Sequence, residues 1–232
     1  MAQTKLAAAE LSPHAEDIFR GLWTSLFHTS QSPPKSVLVC SSNPGEGATT
    51  ITCGLALAGS KNSGGGVSET SDMVRSAGRV VLVDFNLRTP AVSNTLNVAD
   101  GLGISDVMVG RKDLGEALQH IGPGQLDILT AGSECRHVLE ILRADRVRGV
   151  MEELQRRYDY VIVDSSPVNQ YPDAQVLAEI IDSVVLVAHA FKTPREALLQ
   201  ARKRLHVGEG KVAGVVLNMR TYPVPKFVYR RV

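Results

Sequence analysis

The sequence has few cysteines, and they are widely spaced. Its three cysteines, Cys40, Cys53 and Cys135, form no C-x-x-C pair and have no histidine at the spacing of metal ligands. Neither a zinc site nor a disulfide framework is therefore predicted. A reducing cytoplasm fits such a chain best.

An excess of charge and a long hydrophobic run are also missing. The 232 residues include 25 Lys and Arg and 24 Asp and Glu, a formal net charge of +1, which is not the basic balance of a nucleic-acid-binding protein. The longest apolar runs, such as SVVLVAHAF from Ser183, fall far short of the roughly 20 residues that span a membrane. We predict no nucleic-acid partner, and any connection to a membrane has to come through a partner.

Six short apolar segments are typical of buried β-strands: KSVLVCSS, RVVLVDFN, QLDILTAG, YVIVDSSP, SVVLVAHA and KVAGVVLNM. Continuous Val, Ile and Leu without polar alternation indicate strands buried on both faces of a parallel sheet. Segments of helical character lie between them. The alternation predicts an α/β protein whose doubly wound, mainly parallel sheet has helices on both faces. Such folds bind ligands beyond the carboxyl ends of their strands.

The chain is predicted to form a single domain over residues 13–221. A flexible N-terminus, residues 1–12, precedes it, and a short basic tail, residues 222–232, follows it. The Gly/Ser-rich stretch from Gly59 to Asp72 predicts a surface excursion from the first helix-to-strand return.

The stretch CSSNPGEGATT, residues 40–50, has the strand–loop–helix context of a phosphate-binding loop. In the pattern G-x-x-x-x-G-K-[ST], backbone N–H groups surround phosphate, the lysine contacts the outer phosphates and the hydroxyl binds magnesium. Ser42 opens the pattern here, Gly47 is its second glycine and Thr49 supplies the hydroxyl, but Ala48 occupies the position of the lysine.

Two aspartates follow buried strands at the edge of the sheet where this loop is expected. Asp84 ends RVVLVD and Asp164 ends YVIVD. A carboxylate there can hold magnesium-bound water beside the phosphates. The alternative is that each aspartate caps a turn after its strand.

Several motifs together resemble the bacterial tyrosine kinases of capsule and exopolysaccharide synthesis. They are DIFRGLWTSL, SSNPGEGATT, VVLVDFNLRTP, GLGISDVMVG, YDYVIVDSSPV and VAGVVLNM, in the family's order and spacing over roughly residues 16–220. The kinases resemble the chromosome-partitioning and septum-site ATPases, with which they share a deviant P-loop NTPase fold. PGEG in the loop and LR-x-P after the first aspartate favour the kinase branch.

The resemblance implies a site for ATP or ADP with Mg²⁺. The nucleotide-binding residues would be Gly45, Glu46, Gly47, Ala48, Thr49, Thr50 and Asn218. Thr49, Asp84 and Asp164 would bind the metal, and the two aspartates would also be the catalytic carboxylates. Asn218 would contact the adenine, although it could also be a simple strand-end turn residue.

In this family the ATPase lies beneath a membrane polysaccharide co-polymerase subunit and phosphorylates a C-terminal tyrosine cluster. The resemblance therefore implies a cytoplasmic protein that such a partner recruits to the inner face of the membrane. Tyr222 and Tyr229 are the possible phospho-acceptors.

Four departures from the family pattern bear on activity. The loop lysine is Ala48, the second aspartate of D-x-D is Asn86, the helix motif E-x-x-R-x-x-R reads Asp17, Arg20 and Trp23, and the tyrosine tail is sparse. A charge-assisted hydrogen bond contributes about 1.5–3 kcal/mol, so the missing lysine predicts nucleotide binding weakened by roughly ten- to a hundredfold. Loss of one preorganised donor costs catalysis roughly 10²–10³ in rate.

Three hypotheses follow. The first is a catalytically impaired regulatory or scaffolding partner of the co-polymerase. The second is an active tyrosine autokinase, in which Lys61 or Lys35 compensates or Ala48 has been introduced by engineering. The third, a partitioning-type ATPase, is disfavoured because Asn43 and Pro44 stand where that branch has an early lysine.

Two further features allow simple structural interpretations. Phe19, Trp23 and Phe27 recur at a spacing of four and would share one helical face, either in the core or as a surface for self-association. Glu46 is expected at a solvent-facing loop position, incidental to any chemistry.

Overall fold

The structure of the protein is a computed structural model that describes residues 11–29, 32–62, 78–122, 126–135, 137–208 and 210–221. The predicted basic tail, with Tyr222 and Tyr229, lies outside the described residues. Most of the predicted Gly/Ser-rich excursion does so as well.

Helices and strands alternate along most of the described chain, as the sequence predicts. The helices are α1 (Pro13–Phe27), α2 (Ala48–Asn62), α3 (Val92–Leu96), α4 (Ile104–Met108), α5 (Leu114–Ala117), α6 (Val138–Ile141), α7 (Ala144–Arg157), α8 (Asp173–Ala178) and α9 (Arg195–Val207). The strands are β1 (Ser36–Ser41), β2 (Val80–Asp84), β3 (Gln119–Ile121), β4 (Leu126–Leu129), β5 (Tyr160–Asp164), β6 (Ser183–His189) and β7 (Val212–Asn218).

The strands form one sheet in the order β3-β4-β2-β5-β1-β6-β7. Every neighbouring pair is parallel except β3 and β4. The predicted doubly wound, mainly parallel sheet is confirmed, and all six predicted strands are present. The short edge strand β3 was not predicted.

Two apolar layers cover the two faces of the sheet. Successive residues of a strand point to opposite faces, so Val37 and Val39 of β1 pack in the layer with α1 and α2, while Leu38 and Cys40 pack in the layer with α7, α8 and α9. Burial on both faces explains why these strands are continuous apolar runs.

Helix α1 packs its aromatic face into the first of these layers. Phe19, Trp23 and Phe27 are at most 8% exposed, and the Trp23 and Phe27 rings both contact the Tyr160 ring at centroid distances of 4.8 and 4.9 Å. The prediction that these three rings form a surface for self-association is therefore wrong, because the rings lie in the core.

Residues 1–10 of the predicted flexible N-terminus, residues 1–12, lie outside the described residues, and the last two make contacts at the start of α1. Leu11 is 6% exposed, and the Ser12 hydroxyl accepts a hydrogen bond from the Ala15 N–H at 3.3 Å. A serine cap followed by proline in the first turn is a common start for a helix.

Candidate functional site

The loop between β1 and α2 has the backbone of a phosphate-binding loop. Gly45 and Gly47 have φ angles of +78° and +86°, a region that glycine enters without steric cost. A Cβ atom on Gly47 would lie 2.3 Å from the Asn218 Nδ2 atom, so a larger residue does not fit there. The loop ends at Ala48, where α2 begins.

Glu46 holds this loop together from inside and is 4% exposed. Its carboxylate accepts hydrogen bonds from the Ser42 hydroxyl at 2.8 and 2.9 Å, from the Asn43 N–H at 3.0 Å and from the Thr193 hydroxyl at 2.7 Å. The expected solvent-facing position of Glu46 is therefore wrong. Thr193 lies 147 residues away in the chain, and no local pattern indicates that contact.

Asn218 joins the end of β7 to the same loop. Its Nδ2 atom donates to the Glu46 carbonyl oxygen at 2.9 Å, and its Oδ1 atom accepts from the Met219 N–H at 2.8 Å. The side chain thus makes the strand-end turn contact that we considered and also supports the loop. Contact with an adenine base stays a prediction.

Asp164 lies beneath the first turn of α2. Its two carboxylate oxygens accept hydrogen bonds from the Thr49 hydroxyl at 2.7 Å and the Thr52 hydroxyl at 2.9 Å. Thr52 was not predicted, although residues three apart share a helix face and Thr49 already pointed to that face. The contact places the hydroxyl expected to bind magnesium next to a buried carboxylate.

Asp84 is the register partner of Asp164 across the β2–β5 pair. Its oxygens accept hydrogen bonds from the Asn86 N–H at 3.0 Å and from the Val92 N–H at 3.2 Å. The turn-capping alternative therefore describes the contacts of Asp84. The carboxylate also lies beside Asp164, and its role in metal binding stays a prediction.

The two aspartates have unusual electrostatic surroundings. Burial raises the pKa of both carboxyl groups, and the Asp164 charge raises the pKa of Asp84 further. Backbone N–H groups around Asp84 and threonine hydroxyls around Asp164 partly oppose these shifts. Hydroxyl and carboxylate oxygens are ligands that suit Mg²⁺, and a bound cation would favour the charged forms of both aspartates.

Asn86 is 6% exposed in this site. Its Oδ1 atom accepts hydrogen bonds from the Ser166 hydroxyl at 3.0 Å and from the Thr89 N–H at 3.3 Å. A carboxylate oxygen could accept the same bonds. The amide therefore preserves the local geometry and removes one negative charge.

Arg88, the arginine of the LR-x-P motif, is committed to another contact. Its Nε and Nη2 atoms donate to the two carboxylate oxygens of the buried Asp173 at 2.7 and 2.9 Å, and its guanidinium lies 4.2 Å from the centre of the Tyr171 ring. This bidentate pair joins the segment after β2 to the start of α8. The contact was not predicted, and it keeps Arg88 from replacing the missing lysine.

Comparisons with known proteins support the family resemblance of the sequence and the fold. No family model matches the chain. The tyrosine-protein kinase YwqD of Bacillus subtilis (strain 168) is 26% identical over 219 residues, which cover 94% of this chain and 86% of YwqD. The crystal structure of the VpsO kinase domain superposes with a TM-score of 0.77 at 27% identity, covering 90% of this chain and 95% of that domain. The chain is a relative of the bacterial tyrosine kinases.

The relation to the bacterial tyrosine kinases agrees with the resemblance of the sequence motifs. The septum site-determining protein MinD of Pyrococcus horikoshii OT3, solved with Mg-ADP, superposes with a TM-score of 0.64 at 18% identity and shows the shared P-loop NTPase-like fold. The helices in the described part of the chain are too short or too polar to span a membrane.

The structure brings most of the predicted site residues together, and Ala48 and Asn86 are the positions among them that depart from the motifs of the bacterial tyrosine kinases. The structure brings the loop from Gly45 to Thr50 together with Asp164 and Asn218 at the carboxyl edge of the sheet, next to Asp84. Ala48 remains at the position of the family lysine.

Proposed function

We propose that the protein is a cytoplasmic, tyrosine-kinase-like P-loop protein of exopolysaccharide synthesis and export. In this proposal its catalysis is impaired, and it acts as a regulatory or scaffolding partner of a membrane polysaccharide co-polymerase subunit. The observation that carries the proposal is Ala48 at the start of α2, in a loop that otherwise keeps its glycines, its threonine and its aspartate partner.

Weak nucleotide binding is compatible with this loop. Helix α2 has 15 residues, and its N-terminus presents backbone N–H groups and the positive end of its dipole to an anion. Thr49 remains next to Asp164 for a magnesium ion. We expect binding of Mg-ADP and Mg-ATP about ten- to a hundredfold weaker than with a lysine in the loop.

The missing lysine is expected to lower the rate of phosphoryl transfer more than it lowers the affinity for nucleotide. The loop lysine stabilises charge that develops on the phosphates, and one such donor accounts for roughly 10²–10³ in rate. The neutral Asn86 occupies the position of a further carboxylate that the family resemblance assigns to the acceptor hydroxyl. Both changes act in the same direction.

The lysines considered as replacements are far from the loop. Lys61 lies 13 residues after Ala48, about 20 Å along α2 at 1.5 Å per residue, and its Nζ atom lies 3.7 Å from a Glu16 oxygen. Lys35 precedes β1 and therefore lies at the opposite edge of the sheet. These positions disfavour an active autokinase that depends on either lysine.

A partitioning-type ATPase is the other candidate. The superposition with MinD supports the fold that both families share, and Asn43 and Pro44 occupy the place of that branch's early lysine. We therefore rank this function below the kinase-like one.

Calorimetric titration of Mg-ADP and Mg-ATP tests the proposal. The protein, an Ala48→Lys variant and an Ala48→Lys/Asn86→Asp variant are compared, with Lys61→Ala as the control for a replacement lysine. We expect weak binding by the protein, tighter binding by both lysine variants and no effect of Lys61→Ala.

Phosphotyrosine formation is measured on the same four proteins after incubation with Mg-ATP. We expect label only in the two variants that carry a lysine in the loop, most strongly in the double variant. Tight Mg-ATP binding together with robust tyrosine labelling of the unchanged protein would overturn the proposal.

A further inference from the structure

The edge of the molecule formed by α9 and β7 differs in charge from the rest of the chain. Residues 191–221 contain seven lysines and arginines and two glutamates, whereas the whole chain has a net charge of +1. The remainder of the chain is therefore acidic in balance. Such an asymmetry is a physical reason to look for an anionic binding surface.

Five of these cations are exposed and have no ion pair within the part of the chain that the structure describes. They are Lys192, Arg195, Arg202, Lys203 and Lys211. Elsewhere, Arg20, Lys112 and Arg143 are paired with carboxylates. Arg148 and Arg156 of α7 are also exposed and have no ion pair among the described residues, but they have no exposed apolar cluster beside them on that helix.

The same edge collects exposed apolar side chains. Of the ten large hydrophobic residues that are exposed in the described ranges, six are on it: Phe191, Leu199, Val207, Val215, Leu217 and Met219. We call these six residues and the five cations the α9–β7 surface. Exposed apolar residues that cluster in this way mark an interaction site more often than scattered ones do.

Local geometry mixes the two kinds of side chain. Arg195, Leu199, Lys203 and Val207 recur every four residues and form one stripe on the solvent face of α9, with cations and apolar residues alternating. Phe191 and Leu217 line one cavity of about 320 Å³, which joins the apolar residues of the β6 and β7 ends.

Phe191 is held in an uncommon conformation that exposes it. Its φ angle is +63°, a genuine outlier for a bulky residue, and its side chain is 77% exposed. The turn around it is fixed, because the Lys192 and Thr193 N–H groups donate to the His189 carbonyl oxygen. Strain of this kind persists only where the surrounding structure enforces it, and it clusters at functional sites.

We propose that the α9–β7 surface docks directly on an anionic lipid membrane. Cations flanking shallow apolar side chains suit the headgroup region, where apolar groups enter the acyl boundary and Lys or Arg contact anionic lipid. An acidic protein surface would pair with the cations but would not bury the exposed Phe191 and Val207. The contact would be made by the protein itself, in addition to any recruitment by a co-polymerase.

Vesicle co-sedimentation tests this docking. The probes are phosphatidylcholine vesicles with and without about 30% phosphatidylglycerol, which supplies the negative surface potential. We expect the protein to bind only the anionic vesicles and to be released at about 0.5 M salt, where the Debye length is only a few ångströms.

Variants locate the surface. One cation near the membrane changes the affinity about fivefold. The variant Arg202→Glu/Lys203→Glu is therefore expected to bind the anionic vesicles more weakly, by about 30-fold or more. The matched control Arg148→Glu/Arg156→Glu makes the same charge change at exposed positions of α7 and is expected to lose clearly less. Phe191→Asn keeps the left-handed backbone accessible and is expected to lower the affinity for the anionic vesicles about tenfold. The matched control Leu139→Asn, at an exposed residue of α6, is expected to leave this affinity unchanged.

Three results would overturn the proposal. These are equal binding to both kinds of vesicle, no binding to the anionic vesicles, and equal losses in the test and control variants. Light scattering supplies a further arm: a dimer that Phe191→Asn dissociates, without any vesicle binding, would make this edge a contact between copies of the chain.

Discussion

At the scale of single residues, the site is defined by what surrounds its two aspartates. Asp84 is 1% exposed and accepts from backbone N–H groups, and the fully buried Asp164 accepts from two threonine hydroxyls. A buried carboxylate without a cation prefers its neutral form. The site is therefore most stable electrostatically when a proton or a metal ion is present.

This predicts a pH dependence of stability with a definite sign. Because the folded-state pKa of Asp84 is raised, the folded protein retains a proton that the unfolded chain releases above about pH 4. The free energy of unfolding should therefore fall as the pH rises from about 4 through neutral pH. Asp84→Asn removes this group, so the variant should gain stability relative to the unchanged protein as the pH rises.

Urea unfolding across this pH range measures the difference. Asp100→Asn, the same substitution at an exposed position, is the control for the substitution itself. Parallel profiles for Asp84→Asn and the unchanged protein would show that Asp84 does not titrate as its burial implies.

Much of the site could be predicted from the sequence, and the rest depends on long-range contacts. Asp84, Asp164 and the loop were found because they follow buried strands that end at one edge of a parallel sheet. The inward position of Glu46 depends on Thr193, and the fixed position of Arg88 depends on Asp173, 85 residues away. No local periodicity contains such contacts.

At the scale of helices and strands, the packing of α1 on α2 depends on two glycines of α2. A Cβ atom on Gly54 would lie 2.2 Å from the Phe19 ring, and one on Gly59 would lie 2.2 Å from the Trp23 ring. The two glycines allow the aromatic face of α1 to approach the backbone of α2. The strands were easier to predict than this contact, because continuous apolar runs indicate burial but do not show which helix covers them.

Two glycine-to-alanine substitutions separate close packing from helix propensity. Alanine is favoured over glycine in a helix by about 1 kcal/mol. Gly149 on α7 has no atom within 4 Å of an added Cβ, so Gly149→Ala should stabilise the protein by about 0.5–1 kcal/mol. Gly59→Ala should instead destabilise it by about 1–3 kcal/mol, because the Trp23 ring has to move.

Chemical denaturation of the two variants provides the measurement. Stabilisation by both substitutions would mean that α1 can move away from α2 at little cost, in conflict with the buried position of Trp23.

At the scale of the whole molecule, the two apolar layers share one sheet. Every central strand contributes side chains to both layers, as β1 does with Val37 and Leu38. Loss of one layer would therefore expose one face of the same strands whose other face the second layer covers. We expect the sheet and its two apolar layers to unfold in one cooperative step.

The single tryptophan of the chain reports on one of these layers. Trp23 is 2% exposed, so its fluorescence should shift to longer wavelength when α1 leaves the core. We expect this transition and the loss of far-UV circular dichroism to have the same midpoint in urea. An earlier fluorescence transition would show that α1 separates from the sheet before the remainder unfolds.

The hydrogen bonds within the loop have a consequence for how such a site can change over generations. The hydrogen bonds of Glu46 with Ser42, Thr193 and Asn218 hold the loop in shape, and none of them uses the side chain at position 48. A lineage could therefore exchange the lysine for alanine and keep the fold, so that selection on the surface of the protein could continue after selection on its chemistry had ended. The inherited shape would outlast the reaction for which it was first selected.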